Sequence, residues 1–307
     1  MKKLFLILLG GALGLASCNG NSNSEEHNND SRLGGNATDT IDAEIAVSLE
    51  QVWATESVLE TPESVFYHAS EDVLYVSNIA GDPKEKDGRG YISKLSPDGE
   101  IIEKEWVSGM DSPKGMAVLN GKLYVTNIDE LVEIDIRSAK ISNRFKVEGA
   151  SFLNDVAVTA DNKVLFSDSD QGKIHVLENG AVQLWSEPGV ERPNGLIVNN
   201  NRILLASKGK LQEVKKNQTG EVLAEGIGAG DGVAVVNDNS YLVSNWQGEV
   251  FYVLGQGGEN RMKKVLDTKD QNVNSADIEY IRDRNLLLVP TFGDNRVVAY
   301  KLNGVVN

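Results

Sequence analysis

The chain repeats itself, and the repeat limits what it can fold into. Six segments share one order: a polar position, a short apolar strand, a tight turn, a second strand and a polar end. They are PESVFYHASEDVLYVSN, PKGMAVLNGKLYVTN, LNDVAVTADNKVLFSD, PNGLIVNNNRILLAS, GDGVAVVNDNSYLVSN and SADIEYIRDRNLLLVPT. The aligned polar positions are Glu63, Lys114, Asn154, Asn194, Asp231 and Ala276, spaced by 51, 40, 40, 37 and 45 residues. A period of this length is the span of a four-stranded propeller blade. The first two strands of each unit are β-branched and bounded by Asn, Asp and Gly, as hairpins require. A third strand follows, such as KIHVLE at 173–178 or EVFYVL at 249–254. A fourth carries a bulky residue, Trp106, Phe145 or Trp185, shortly before the next polar position.

Trp53 stands in the same relation to Glu63, so residues 47–56 read as a fourth strand with no unit in front of it. The last repeat, 276–302, holds only three strands. The two ends complete each other if the N-terminal strand joins the last blade and closes the ring, which leaves only short protected edges. The expected fold is therefore all-β: a six-bladed β-propeller over residues 47–307, acting as a monomer. The long first spacing comes from an insertion, Ser77 to Gly90, placed to overhang the channel.

In a propeller the first strand of each blade lines the central channel. The six polar positions should then converge on one mouth. The second strands end at Asn78, Asn127, Asp168, Ser207, Asn245 and Thr291, and antiparallel pairing brings these ends back beside the starts. A position kept only for folding would hold one residue type in every repeat. Here it holds Glu, Lys, Asn, Asn, Asp and Ala, which points to distinct roles, although Asn-Gly and Asp-Gly pairs are also ordinary turn chemistry.

Glu63, Asn154, Asn194 and Asp231 offer two carboxylates and two amide carbonyls. Such hard oxygen donors suit one divalent cation, Ca²⁺ first, with Mg²⁺, Zn²⁺ or Mn²⁺ as alternatives. Asp155 and Asp277, one position further on, could orient a ligand or support the donors. A bound cation polarises carbonyls, which fits hydrolysis of a small lactone or ester. Lys114 is at odds with that set. It either pairs with Glu63 or Asp155, binds an anionic substrate, or reaches out of the mouth into water.

The stretches PESVFY, FLNDVAV, RPNGLIV and GDGVAVV resemble the metal-site motifs of the SMP-30/gluconolactonase/LRE-like family, over roughly residues 50–302. The resemblance implies a six-bladed propeller with a single cation in its channel. It implies Glu63, Asn154, Asn194 and Asp231 as ligands, with Asp231 also the catalytic acid/base. Two positions depart from the pattern. Phe152 stands where family lactonases often carry an Arg that grips sugar hydroxyls, and Val156 stands where a Gly follows Asn-Asp. A sugar-acid lactone is the substrate this departure argues against.

Other chemistry has little support. The three histidines, His27, His68 and His175, fall in unrelated places. There is no Gly-x-Ser-x-Gly elbow and no Walker loop. Asp168 to Gly172 looks like a calcium loop but lacks its closing Glu and reads as a hairpin turn. The formal net charge of -15 sets the chain against nucleic acid.

The first eighteen residues are MKKLFLILLGGALGLASC. Lys2 and Lys3 precede an apolar stretch too short to span a bilayer. Leu15-Ala16-Ser17-Cys18 resembles a bacterial lipobox, which implies a signal peptide over 1–17 and lipidation of Cys18, the only cysteine. Residues 18–46 then read as the lipidated Cys and a polar flexible tether. The membrane is reached through this anchor alone, at the cell envelope, with Asn19 consistent with outer-membrane sorting. The competing functional class is a non-catalytic binding propeller that recognises a glycan or protein there, because the fold serves many roles.

Overall fold

The computed structural model describes residues 45–255 and 261–304. The signal peptide, Cys18 and all but the last two tether residues lie outside the described residues, as do Asn19 and His27. Among the described residues no helix is long and apolar enough to cross a membrane.

The fold is an all-β propeller. It begins with β1 (Ser48–Ala54). The first repeat forms β2 (Pro62–His68), β3 (Val73–Asn78), β4 (Gly90–Leu95) and β5 (Ile101–Met110). The second forms β6 (Pro113–Leu119), β7 (Lys122–Asn127), β8 (Glu130–Asp135) and β9 (Lys140–Lys146). The third forms β10 (Leu153–Val158), β11 (Val164–Asp168), β12 (Lys173–Glu178) and β13 (Ala181–Ser186). Then come β14 (Leu196–Asn199), β15 (Arg202–Lys215), β16 (Gln218–Asn237), β17 (Ser240–Asn245), β18 (Glu249–Leu254) and β19 (Met262–Asp267). The last repeat gives β20 (Glu279–Ile281), β21 (Leu286–Pro290) and β22 (Val297–Asn303).

These strands make five hydrogen-bonded sheets, not the six blades expected from the repeats. Each of the first three repeats is one antiparallel four-stranded sheet. The fourth and fifth repeats share a six-stranded sheet, ordered β14-β15-β16-β17-β18-β19. The cause lies in β16, which runs unbroken for 20 residues where other repeats place a loop. Gly226 (φ 81) and Gly228 (φ 71) turn the backbone inside that strand, so it pairs first with β15 and then with β17 without leaving the sheet. The N-terminal strand β1 pairs antiparallel with β22, Trp53 facing Ala299, in the order β1-β22-β21-β20.

The hairpins follow local rules. Asn120 (φ 52) and Gly121 (φ 74) join β6 to β7, both left-handed, as a two-residue turn demands. Asn200 (φ 50) and Asn201 (φ 62) do the same between β14 and β15. Asp168 to Gly172 is indeed a turn, leading from β11 to β12.

The core sits between neighbouring sheets. Tyr75 and Trp106 of the first repeat stack at 4.6 Å and pack with Met116 and Val125 of the second. Phe166 and Val156 meet Tyr124 and Leu131. Val65 and Leu74 of the first sheet pack with Leu288 and Ala299 of the last. The inner strands are buried on both faces, as β3 and β11 are throughout, while the outer strands β1, β9 and β13 alternate toward solvent.

Candidate functional site

The polar residue of each repeat is set by a strand that begins at the channel. Glu63, Lys114 and Asn154 are the second residues of β2, β6 and β10. Asn194 lies two residues before β14, and Asp231 lies inside β16. These five converge on a cavity of about 900 Å³ at one mouth of the channel. Ala276, the sixth position, does not line it; the last repeat contributes Phe292 instead. The insertion after β3 does overhang the cavity, through Ile79 and Pro83.

Close packing behind the mouth fixes the aim of these side chains. Gly195 donates its backbone N–H to Asp231 O at 2.8 Å, and a Cβ built on it would lie 2.0 Å from that oxygen. Only glycine admits this approach. Gly195→Ala is expected to cost about 2 kcal/mol or more, as overpacking against backbone does. Denaturant unfolding measures it; an unchanged midpoint would show that the two strands can separate freely.

A hydroxyl near the end of several second strands ties adjacent repeats together. Ser167 Oγ donates to Asn194 O at 2.8 Å and accepts from Asp155 N at 2.9 Å. Ser244 Oγ donates to Ala276 O at 2.6 Å and accepts from Gly232 N at 2.8 Å. Thr126 Oγ1 donates to Asn154 O. These hydroxyls hold the polar ring in place without touching a ligand.

The second-strand ends do not join the mouth. Pairing sets Asn78 and Asn127 opposite Pro62 and Pro113, beside the starts, but their side chains serve turns. Asn127 Oδ1 accepts from Asp111 N and Ser112 N at 2.9 and 2.8 Å. Asn78 donates to Val76 O and Ser93 Oγ, and Asp168 accepts from Gln171 N.

Glu63, Asn154 and Asp231 are 5%, 3% and 3% exposed. Each keeps an oxygen with no hydrogen-bond partner: Glu63 Oε2, Asn154 Oδ1 and Asp231 Oδ1, together with Asn194 Oδ1. Buried polar atoms are nearly always partnered, and an orphan costs about 1–3 kcal/mol. These four unpartnered oxygens come from four different repeats and line one cavity. The donor set fits a divalent cation that prefers hard oxygen. Among the described residues no three His, Cys, Asp or Glu side chains group as a metal site. This set has only two carboxylates, and amide oxygens supply the rest.

Burial dominates the electrostatics. The Asp231 carboxyl is pushed up to about 8, chiefly by burial and then by the charge of Asp277, with the Asn194 amide partly offsetting both. Glu63 is raised well above its ordinary value by burial and by Asp231, with Lys114 pulling it back. Asp277 is pushed up to about 7 by burial, against the opposing hydrogen bond from Ser64. Asp155 is raised well above the usual range by burial and by Asp277.

Asp155 and Asp277 lie in a second, smaller cavity of about 220 Å³, not in the mouth. Asp155 accepts from Leu196 N at 2.5 Å and from Val156 N at 2.6 Å. Asp277 accepts from Ser64 Oγ at 2.5 Å. Both carboxylates link neighbouring strands.

Lys114 follows neither of its expected structural courses. It does not reach into water, being 1% exposed, and it makes no ion pair with Glu63 or Asp155 within 4.0 Å. Its Nζ donates to Ser112 Oγ, Ser112 O and Pro83 O at 2.9, 3.1 and 3.4 Å. Burial lowers its pKa to about 8, with Glu63 opposing the shift.

Sequence reasoning missed four lining residues: Arg192, Lys208, Trp246 and Phe292. Trp246 directly follows the second-strand end Asn245, and an aromatic placed just beyond a strand was a readable signal.

Nothing matches the chain among protein-family models or curated proteins. Solved structures do match. One is a gluconolactonase from Xanthomonas campestris, at 13% identity, 85% of this chain, 91% of that chain and a TM-score of 0.62. Another is titled glucose dehydrogenase, at 13% identity, 82% of this chain, 98% of that chain and a TM-score of 0.60. A third is a streptogramin B lyase, at 14% identity, 84% of this chain, 98% of that chain and a TM-score of 0.58. The names cover three kinds of chemistry, so fold alone does not choose among them. What these likenesses establish is the architecture: the chain is an all-β propeller.

Proposed function

We propose that the chain is a divalent-metal-dependent hydrolase of a small lactone or ester, in the manner of a gluconolactonase. In this reading the sheets surround the channel. The ring is closed by β1, a reading supported by its pairing with β22 and by the packing of the first sheet on the last. The chain acts as a monomer, anchored at the cell envelope through lipidated Cys18.

One observation carries the functional reading: the four orphaned oxygens of Glu63, Asn154, Asn194 and Asp231. These residues would hold the cation, Ca²⁺ first among the candidates. When bound, such an ion supplies Lewis-acid polarisation of a carbonyl. The chain's own residues do the remainder. Asp231 would serve as the general acid/base; with no cation bound, burial pushes its carboxyl up to about 8, and a cation beside it would draw that value down. The amides of Asn154 and Asn194 stay neutral and hold their carbonyl oxygens toward the cavity. Ile79, Pro83 and Phe152 limit water around the reacting bond.

The test is turnover of a lactone and ester panel by the full chain, with Ca²⁺, Mn²⁺ or Zn²⁺ and with chelator. Hydrolysis that stops with chelator and in Asp231→Asn supports the reading. Metal binding with no turnover across the panel overturns it in favour of a binding propeller for a glycan or protein.

A further inference from the structure

The chain carries a formal net charge of -15, yet the walls of its mouth do not share that sign. Lys114, Arg192 and Lys208 line the cavity, and among the described residues the acids lining it are Glu63 and Asp231. A cationic pocket in an acidic protein focuses field on whatever enters it.

Lys114 is the informative member. Its ammonium is buried, and all its hydrogen-bond partners are neutral oxygens of Ser112 and Pro83. The Phe152 ring lies 4.7 Å from Nζ and adds a cation–π contact, which carries no counter-charge. Buried charges are ordinarily paired, because an unpaired one forfeits hydration with nothing in return. Glu63 and Asp170 act on Lys114 only at a distance, with no ion pair within 4.0 Å.

The other two cations are held at the rim. Arg192 reaches Asp170 at 3.4 Å, and Asp170 also binds Lys84 at 2.7 Å. Lys84 and Arg192 sit 4.9 and 5.7 Å from the same Phe152 ring. The turn that looked like a calcium loop thus serves to gather cations around Phe152. Lys208 pairs with the exposed Glu191. Both rim pairs are exposed to solvent, so either cation can turn inward at small cost.

The same cavity offers an apolar platform. Trp246 is 47% exposed, and it meets Phe292 edge to face at 5.8 Å and 77°. Gly226, Gly228 and Gly230 leave bare backbone beside it.

We infer that the mouth selects an anionic substrate, a carboxylate-bearing lactone or ester whose charge sits at Lys114 and whose apolar part lies on Trp246. The scissile group rests on the hydrolase reading above; the charge selection does not.

The experiment compares phenylacetate with phenylacetamide, which differ in charge but hardly in shape, by calorimetric titration of the full chain at two salt concentrations. Phenylacetate is expected to bind at least about tenfold more tightly, with the advantage shrinking at high salt. Lys114→Met is expected to abolish the preference, Arg192→Gln to reduce it, and Trp246→Ala to weaken both ligands. Equal affinity for acid and amide, or no binding of either, overturns the inference in the unaltered chain, whatever becomes of the variants. A preference that survives in folded Lys114→Met overturns the role of Lys114. Failure of the hydrolase reading shows separately: acid preference without ester turnover keeps the anion pocket, while turnover of neutral esters without acid preference keeps the hydrolase.

Discussion

Asp231→Asn is expected to lower kcat/KM for the best lactone or ester by about 10²–10⁴-fold, the range a general acid/base supplies. The substitution keeps the shape and one oxygen but removes the titrating proton. The residue is 3% exposed and its backbone oxygen accepts from Gly195 N at 2.8 Å, so the backbone that carries it is held. The far-ultraviolet spectrum should therefore stay the same while the rate falls. A pH–rate profile sharpens the result. The limb that the unaltered chain owes to the Asp231 carboxyl should vanish in the Asn variant, leaving a flatter, lower profile. Unchanged activity would remove Asp231 from the chemistry.

The second large effect is on stability. Without metal, the fold should lose stability as the pH rises from about 5 to about 8. Burial has moved Asp231 from its ordinary 3.8 up to about 8, and Asp277 from 3.8 to about 7. Between the unfolded and folded values the native state binds more protons than the unfolded chain. The unfolding free energy therefore falls with rising pH through that window, and the contribution is full only below the unfolded value. A divalent cation should reverse the trend, because it binds the carboxylates in their charged form. At about a hundredfold excess over its dissociation constant it adds roughly 2.7 kcal/mol, or some 5–10 °C in Tm. The gain should be larger at pH about 8 than at about 5, where protons compete. Thermal unfolding with chelator or with Ca²⁺, Mn²⁺ or Zn²⁺ reads both effects. A midpoint that climbs with pH in chelator, or that ignores all three metals, contradicts the account.

How legible this was in the sequence depends on the residue. The repeat placed Glu63, Lys114, Asn154, Asn194 and Asp231 at equivalent points, and a propeller makes equivalent points converge. Their unlike identities set them apart from a repeated frame, and the five do line one cavity. The number of sheets was not legible. It turns on whether backbone hydrogen bonding continues through Gly226 and Gly228, and glycine allows a break and a bend equally well. The second-strand ends misled for a related reason. Asn127 and Asp168 are polar and lie next to the channel starts, but which way a side chain turns depends on donors such as Ser112 N and Gln171 N that no periodicity reveals. Ser167 and Ser244 were hidden in the same way. Each is one residue before an aligned end, and its role appears only when the neighbouring repeat is in place. Lys114 was visible as an exception, and its burial and its neutral partners were not.

The Asn194 that opens Arg192 to Val198 onto the cavity gives the most direct test. Glu63, Asn154, Asn194 and Asp231 are expected to hold one divalent cation. Crystals of the chain grown with Mn²⁺ and measured for anomalous scattering test it in one step. The prediction is a single strong peak within coordination distance of Glu63 Oε2, Asn154 Oδ1, Asn194 Oδ1 and Asp231 Oδ1. A channel mouth without that peak, with the Lys114 ammonium bonded to Glu63 in its place, would contradict it.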